Sequence, residues 1–140
     1  MPASLIDTNV LLYAISTDPA EVEKKQAARE LLSGGDWGLS VQVLQEFYVN
    51  ATRAPRPAMT HADAEAAIRQ LILRPVVEND VALMLEALRT QARYRLSYWD
   101  AAVVAAAKRL GASVLYSEDL NDGQDYGGVK VINPFMAVST

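Results

Sequence analysis

"SLIDTNVLLYAI", Ser4 to Ile15, sets one carboxylate, Asp7, between two apolar runs. The first run, Ala3 to Ile6, is short and ends on a charge, as a buried strand does. The second, Val10 to Ile15, reads as a short helix. A strand that leads directly into a helix is the opening of an α/β unit. A charged side chain at that junction is costly unless it is solvated, hydrogen-bonded or holding something.

The same alternation continues outward from this stretch. Asp18, Pro19 and Glu21 supply a cap, a proline at the first helical position and an acid at the third. They predict a helix to about Leu32, with Ala28, Leu31 and Leu32 inward and Gly34 and Gly35 as its stop. "WGLS" reads as a second strand. Ser40 then caps a helix from Val41 to about Arg53, striped by Leu44, Phe47, Tyr48 and Ala51. "APRPAM" is a proline-broken loop. Thr60 and Asp63 form a capping box for a helix carrying Ala64, Ala67, Ile68 and Leu71. "RPVV" predicts a third strand. Asn79 or Asp80 opens a helix with Val81, Met84, Leu85, Leu88 and Ala92 on one face. Ser97 opens the last helix, to about Leu110, and Gly111 ends it. Ser113 to Tyr116 and Val129 to Ile132 are the fourth and fifth strands. Short strands alternating with helices predict an α/β fold, with a parallel sheet covered on both faces. Ligands of such sheets bind beyond the C-terminal strand ends, where strand order reverses.

The totals narrow the chemistry. A chain of 140 residues fits one domain, and 51% hydrophobic residues suffice for a core without staples. It has no cysteine, which excludes disulfides, thiolate metal sites and cysteine nucleophiles. Its single histidine, His61, excludes a histidine pair and sits just inside a capping box, where a surface position is expected. A formal charge of −4 makes general affinity for nucleic acid poor, so any such role needs local basic patches. The N-terminus lacks a basic region followed by a long apolar one, and no apolar run reaches membrane-spanning length. A soluble, cytoplasmic protein with no membrane partner is expected.

Each acid near a strand end has an ordinary reading. Asp7 caps or turns the chain into the helix near Val10, a task Asn9 could also perform. Glu46 shares a solvated helix face with Gln42, Asn50 and Arg53. Asp100 completes Ser-x-x-Asp, a capping box. It is also the only charge in "YWDAAVVAAA", and a helix apolar all round is buried. Ser117, Glu118, Asp119, Asp122 and Asp125 read as a solvated loop. A calcium loop starting at Asp119 fails, since Gly123 and Lys130 fall at ligand positions. Together, Asp7, Glu46, Asp100 and Asp119 would repel one another at one rim of the sheet. A hard divalent cation relieves that repulsion using oxygen ligands alone.

Four stretches carry a family resemblance: "LIDTNVLLYA", "VQVLQEFYVNATR", "LSYWDAAVVAAA" and "VLYSEDLNDGQDYGGVKVINPF". In this order they resemble PIN-domain nucleases, in particular VapC-type toxins of toxin–antitoxin pairs. The resemblance implies a three-layer α/β/α fold with a five-stranded parallel sheet ordered 3-2-1-4-5. That domain would span residues 1–135, with a tail at 136–140. It implies a Mg²⁺- or Mn²⁺-dependent endoribonuclease with Asp7, Glu46, Asp100 and Asp119 as metal-binding and catalytic acids. Asn9 and Ser117 match the family's supporting polar positions, and Glu118 receives no role. A homodimer, an RNA substrate and a VapB-like antitoxin whose tail blocks the acidic site are implied as well.

Arg53 and Arg56 are the candidate phosphate contacts. Lys24, Lys25 and Arg29 form a second basic group, with an exposed helix and a Glu21–Lys25 pair as its simpler reading. Tyr98 and Trp99 could stack on bases, or bury in the core or a dimer interface. Two other classes compete. A haloacid-dehalogenase-type phosphatase would want an Asp where Asn9 stands. A non-catalytic partner-binding module would keep the acids only for folding.

Overall fold

The computed structural model describes residues 2–136. Among them, five parallel strands form one sheet: β1 (Ser4–Ile6), β2 (Trp37–Ser40), β3 (Val76–Val77), β4 (Val114–Tyr116) and β5 (Lys130–Ile132), in the order β3-β2-β1-β4-β5. Six α-helices accompany it: α1 (Thr8–Ala14), α2 (Val22–Ser33), α3 (Val41–Ala51), α4 (His61–Leu71), α5 (Val81–Tyr94) and α6 (Tyr98–Leu110). This is the expected three-layer arrangement. Strand order reverses between β1 and β4, which pair with Leu5 opposite Leu115 and Ile6 opposite Tyr116. Residues 137–140 of the expected tail lie outside the described residues. Phe135, next to that boundary, is buried.

Neighbouring side chains of β1 face opposite sides of the sheet, because the strand repeat is two residues. Leu5 therefore joins Leu115, Val131 and the α6 alanines on one side. Ile6 joins Val10, Leu39, Val43 and Phe47 on the other. Helix α6 is buried along one continuous run, Ala101 to Ala107. Its small side chains let the backbone lie close to the sheet. Gly38 in β2 serves the same packing: a Cβ there would stand 2.8 Å from Leu110 and 2.9 Å from the Pro75 carbonyl.

Several boundaries shift. Helix α1 begins at Thr8 rather than Val10, because Asp7 caps it. The expected helix from Asp18 divides into a 3-10 turn, Pro19–Glu21, followed by α2. Tyr48 is only half-buried on α3, where Val43, Leu44, Phe47 and Ala51 form the inner face.

The direction of the α5 face is set by what it packs against. The residues of that one face point outward: Val81, Met84, Leu85 and Leu88 are 74, 51, 49 and 41% exposed, and Ala92 is exposed too. Leu83, Ala87 and Thr90 face inward instead. The period is helical, but the face with a small residue at its centre meets the alanine-rich α6. Close approach there leaves the larger side chains outside.

Candidate active site

Asp7 leaves the C-terminal end of β1 and enters the first turn of α1. Its Oδ1 accepts from the Thr8 N–H at 2.8 Å, which is the helix cap. Its Oδ2 accepts from the Ser117 hydroxyl at 2.7 Å, across the β1–β4 junction. The ordinary reading and the functional one thus occupy different oxygens of one carboxylate. Burial pushes the Asp7 carboxyl up from 3.8 to about 6. The bonds from Ser117 and Thr8 oppose that rise, and the negative charges of Asp119 and Glu46 add to it.

Asn9 does not cap the helix. Its Nδ2 lies 3.1 Å from Asp119 Oδ2, 3.4 Å from Ser117 Oγ and 3.5 Å from Asp7 Oδ2. Its Oδ1 accepts the Glu118 N–H at 3.2 Å. Asn9 therefore ties the turn after β4 to the turn after β1. Ser117, fully buried, also accepts from the Asp119 N–H at 3.1 Å.

Glu46 reaches the same rim from α3. Thr8 Oγ1 donates to it at 3.0 Å, and Gln42 Nε2, one helical turn earlier, lies 3.4 Å away. The buried Gln42 also bonds the Trp99 carbonyl at 3.3 Å, which links this helix to the first turn of α6. Asp100 sits in that turn. Ser97 takes its N–H at 3.1 Å, completing the cap, and its charge adds to burial in raising the Tyr126 phenol. Neither Thr8 nor Gln42 was singled out from the sequence for this purpose. Helical spacing between Gln42 and Glu46 was the available signal.

The structure groups Asp7, Asp119 and Glu46 around Asn9, Ser117 and Thr8, while Asp100 stands on the Tyr126 side. Among the described residues, no three acids are spaced to ligate one ion as they stand. The donor set still fits a hard divalent cation. It is all oxygen, with no cysteine or histidine, and it holds a buried carboxylate beside two like charges.

Arg53 lies in an open cleft of about 330 Å³ with Glu46, Gln42 and Trp99. Arg56 is exposed in the following loop. Trp99 is 64% exposed, and Tyr98 packs edge-on beside it while leaning into the core. The second basic group dissolves as a surface patch. Arg29 Nε bonds the Ala14 carbonyl, and Lys24 turns to Glu118. Glu21 accepts from Ser16 rather than forming the expected pair with Lys25. His61 is exposed, against Tyr48 and Glu65. Asp122 and Asp125 accept backbone N–H groups of Asn133 and Gly128 and shape the loop.

The family model for the PIN domain matches residues 4–121, a span that contains all four acids. No curated protein matches the chain. Solved structures similar to it include Mycobacterium tuberculosis VapC20, described as a sarcin-ricin loop cleaving toxin. That match has 23% identity and a TM-score of 0.66, over 83% of this chain and 89% of that one. A toxin–antitoxin complex from Klebsiella pneumoniae matches at 18% identity and a TM-score of 0.67, over 94% and 97% of the two chains. DNA-bound VapBC from Salmonella typhimurium matches at 16% and 0.64, over 94% and 97%.

Proposed function

The chain belongs to the PIN-domain family, and we propose that it is a divalent-metal-dependent endoribonuclease acting as the toxin of a VapBC-type toxin–antitoxin pair. The observation that carries this reading is the buried Asp7 carboxylate, gripped by Ser117 and Thr8 beside the charges of Asp119 and Glu46. A folding role alone needs only the cap. It does not need three acids gathered by Asn9 and Thr8 where strand order reverses.

Asp7, Glu46, Asp100 and Asp119 are the residues that would hold Mg²⁺ or Mn²⁺. Such an ion, when bound, would supply a water of lowered pKa and positive charge to balance a phosphodiester. The chain's own groups prepare that site. Ser117 and Asn9 orient Asp7 and Asp119, and Thr8 and Gln42 orient Glu46. Arg53 and Arg56 position backbone phosphates along the cleft, and the exposed Trp99 offers a face on which a base stacks. The toxin assignment rests on the likeness to VapC20 and to the Klebsiella and Salmonella complexes. It brings with it a VapB-like antitoxin that covers the acidic rim. The outward apolar stripe on α5 is the surface by which two copies form a homodimer. The expected site of action is the cytoplasm, and no helix among the described residues is long and apolar enough to cross a membrane.

Induced expression with mapping of new RNA 5′ ends tests the function. Discrete new ends with the wild-type chain, absent with Asp7→Asn expressed to the same level, are expected. Identical end maps for the two chains would remove the nuclease reading.

A further inference from the structure

Glu118 lies between Ser117 and Asp119, yet its carboxylate turns away from the acidic rim. Both of its oxygens are taken. Tyr13 on α1 donates to Oε1 at 2.7 Å, and Lys24 on α2 donates to Oε2 at 2.7 Å. Lys24 Nζ also donates to the Tyr13 hydroxyl at 3.2 Å, which closes a triangle. The Lys24 and Glu118 side chains are only 22 and 26% exposed. The ammonium stands 4.8 Å from the centre of the Tyr13 ring, and that ring meets the buried Phe135 edge-on at 4.8 Å. Isolated surface ion pairs contribute little, but a closed and partly buried network holds one geometry.

That network ends on the turn that carries Asp119. The Glu118 N–H is bonded to Asn9 Oδ1, and the Asn9 amide reaches Asp119 Oδ2. Gripped at its side chain from outside and at its backbone from inside, Glu118 leaves the turn little freedom. We infer that Lys24 and Tyr13 are positioning residues that latch Glu118, and through it hold Asp119 in place against Asp7. The same latch occupies the Glu118 carboxylate, so this acid is not a ligand at the rim. The inference deepens the metal-dependent reading and rests on it.

Simple electrostatics and the latch give opposite signs. Removing a cation beside a cation site tightens metal binding; removing a positioning group loosens it. The test is Mn²⁺ binding to the full chain, read from the electron paramagnetic resonance signal of free Mn²⁺. Lys24→Met keeps most of the stem against Tyr13 and is expected to weaken Mn²⁺ binding about tenfold, the scale of outer-shell losses. Lys24→Arg, which keeps the charge and the donors, is expected to stay within about threefold of wild type. Unchanged or tighter binding in Lys24→Met overturns the latch. Amide hydrogen exchange in metal-free protein gives an independent reading. The Glu118 and Asp119 amides should exchange faster in Lys24→Met and recover in Lys24→Arg, with β1 amides unchanged in both. Equal exchange at Glu118 and Asp119 in wild type and Lys24→Met also overturns the latch. Failure of the wild-type chain to bind Mn²⁺ overturns the metal reading, while exchange still decides the latch.

Discussion

Replacing Asp7 by Asn should stabilise the fold at neutral pH in the absence of metal, although it removes the central acid of the site. The Asp7 carboxyl is pushed from 3.8 to about 6, first by burial and then by Asp119 and Glu46. A displacement of that size means that ionised Asp7 costs the folded state about 3 kcal/mol. The sign follows from which state releases its proton first. Below about pH 4 both states are protonated and the cost is absent. Between about 4 and 6 the unfolded chain ionises first, so stability falls as pH rises, and above 6 the full cost applies. Asn keeps the helix cap, since it serves there as well as Asp. Its amide meets the Asn9 amide and obliges the Ser117 hydroxyl to turn, which returns part of the gain. A net stabilisation of about 1–3 kcal/mol at pH 7.5 is expected, shrinking toward zero near pH 4. For a domain of this size that is roughly 3–10 °C in Tm. Thermal melts of both chains in EDTA from pH 4 to 8 measure it. A variant less stable than wild type at pH 7.5, or a difference that does not change with pH, would refute the electrostatic account of Asp7.

Three further outcomes follow from the same contacts. Mn²⁺ should raise the Tm of wild type, by about 2.7 kcal/mol of stabilisation at a hundred times Kd, and leave Asp7→Asn almost unmoved. Thr8→Val removes the hydroxyl that holds Glu46; melts should show a loss of about 1 kcal/mol, and RNA cleavage should fall about tenfold. Met84→Glu with Leu88→Glu places charge on the exposed α5 stripe. Sedimentation should show a dimer for wild type and a monomer for the variant, with the stability of the isolated chain changed by less than about 0.5 kcal/mol per site.

Local chemistry made most of the fold legible. Ser40, Thr60 and Ser97 were readable as helix caps, and each accepts the third helical N–H as read. Strand order came from resemblance, because alternation alone does not say which neighbour a strand chooses. The α5 face was not legible. Its hydrophobic period is sound, but which side turns inward depends on what α6 offers, and α6 offers alanines. An exposed apolar face and a core face read alike in sequence. At the candidate site, the positions of Asp7 and Asp119 at strand ends were legible because strand ends are. Their partners Ser117 and Asn9 came from the resemblance alone, and Thr8 did not come at all, since it lies next to Asp7 in sequence but its hydroxyl serves Glu46 across the rim. Lys24 was misread for a related reason: its partner, Glu118, is far away in the chain, and no local pattern points to it.

RNA cleavage by the purified chain tests the central claim most directly. A structured RNA is incubated with wild type and with Asp7→Asn, in Mg²⁺ or Mn²⁺ and in EDTA, and the fragments are mapped at their ends. The account predicts specific cleavage by wild type with metal, none in EDTA, and loss in Asp7→Asn while its melt stays cooperative. Full cleavage in EDTA, or by a folded Asp7→Asn chain, would contradict it.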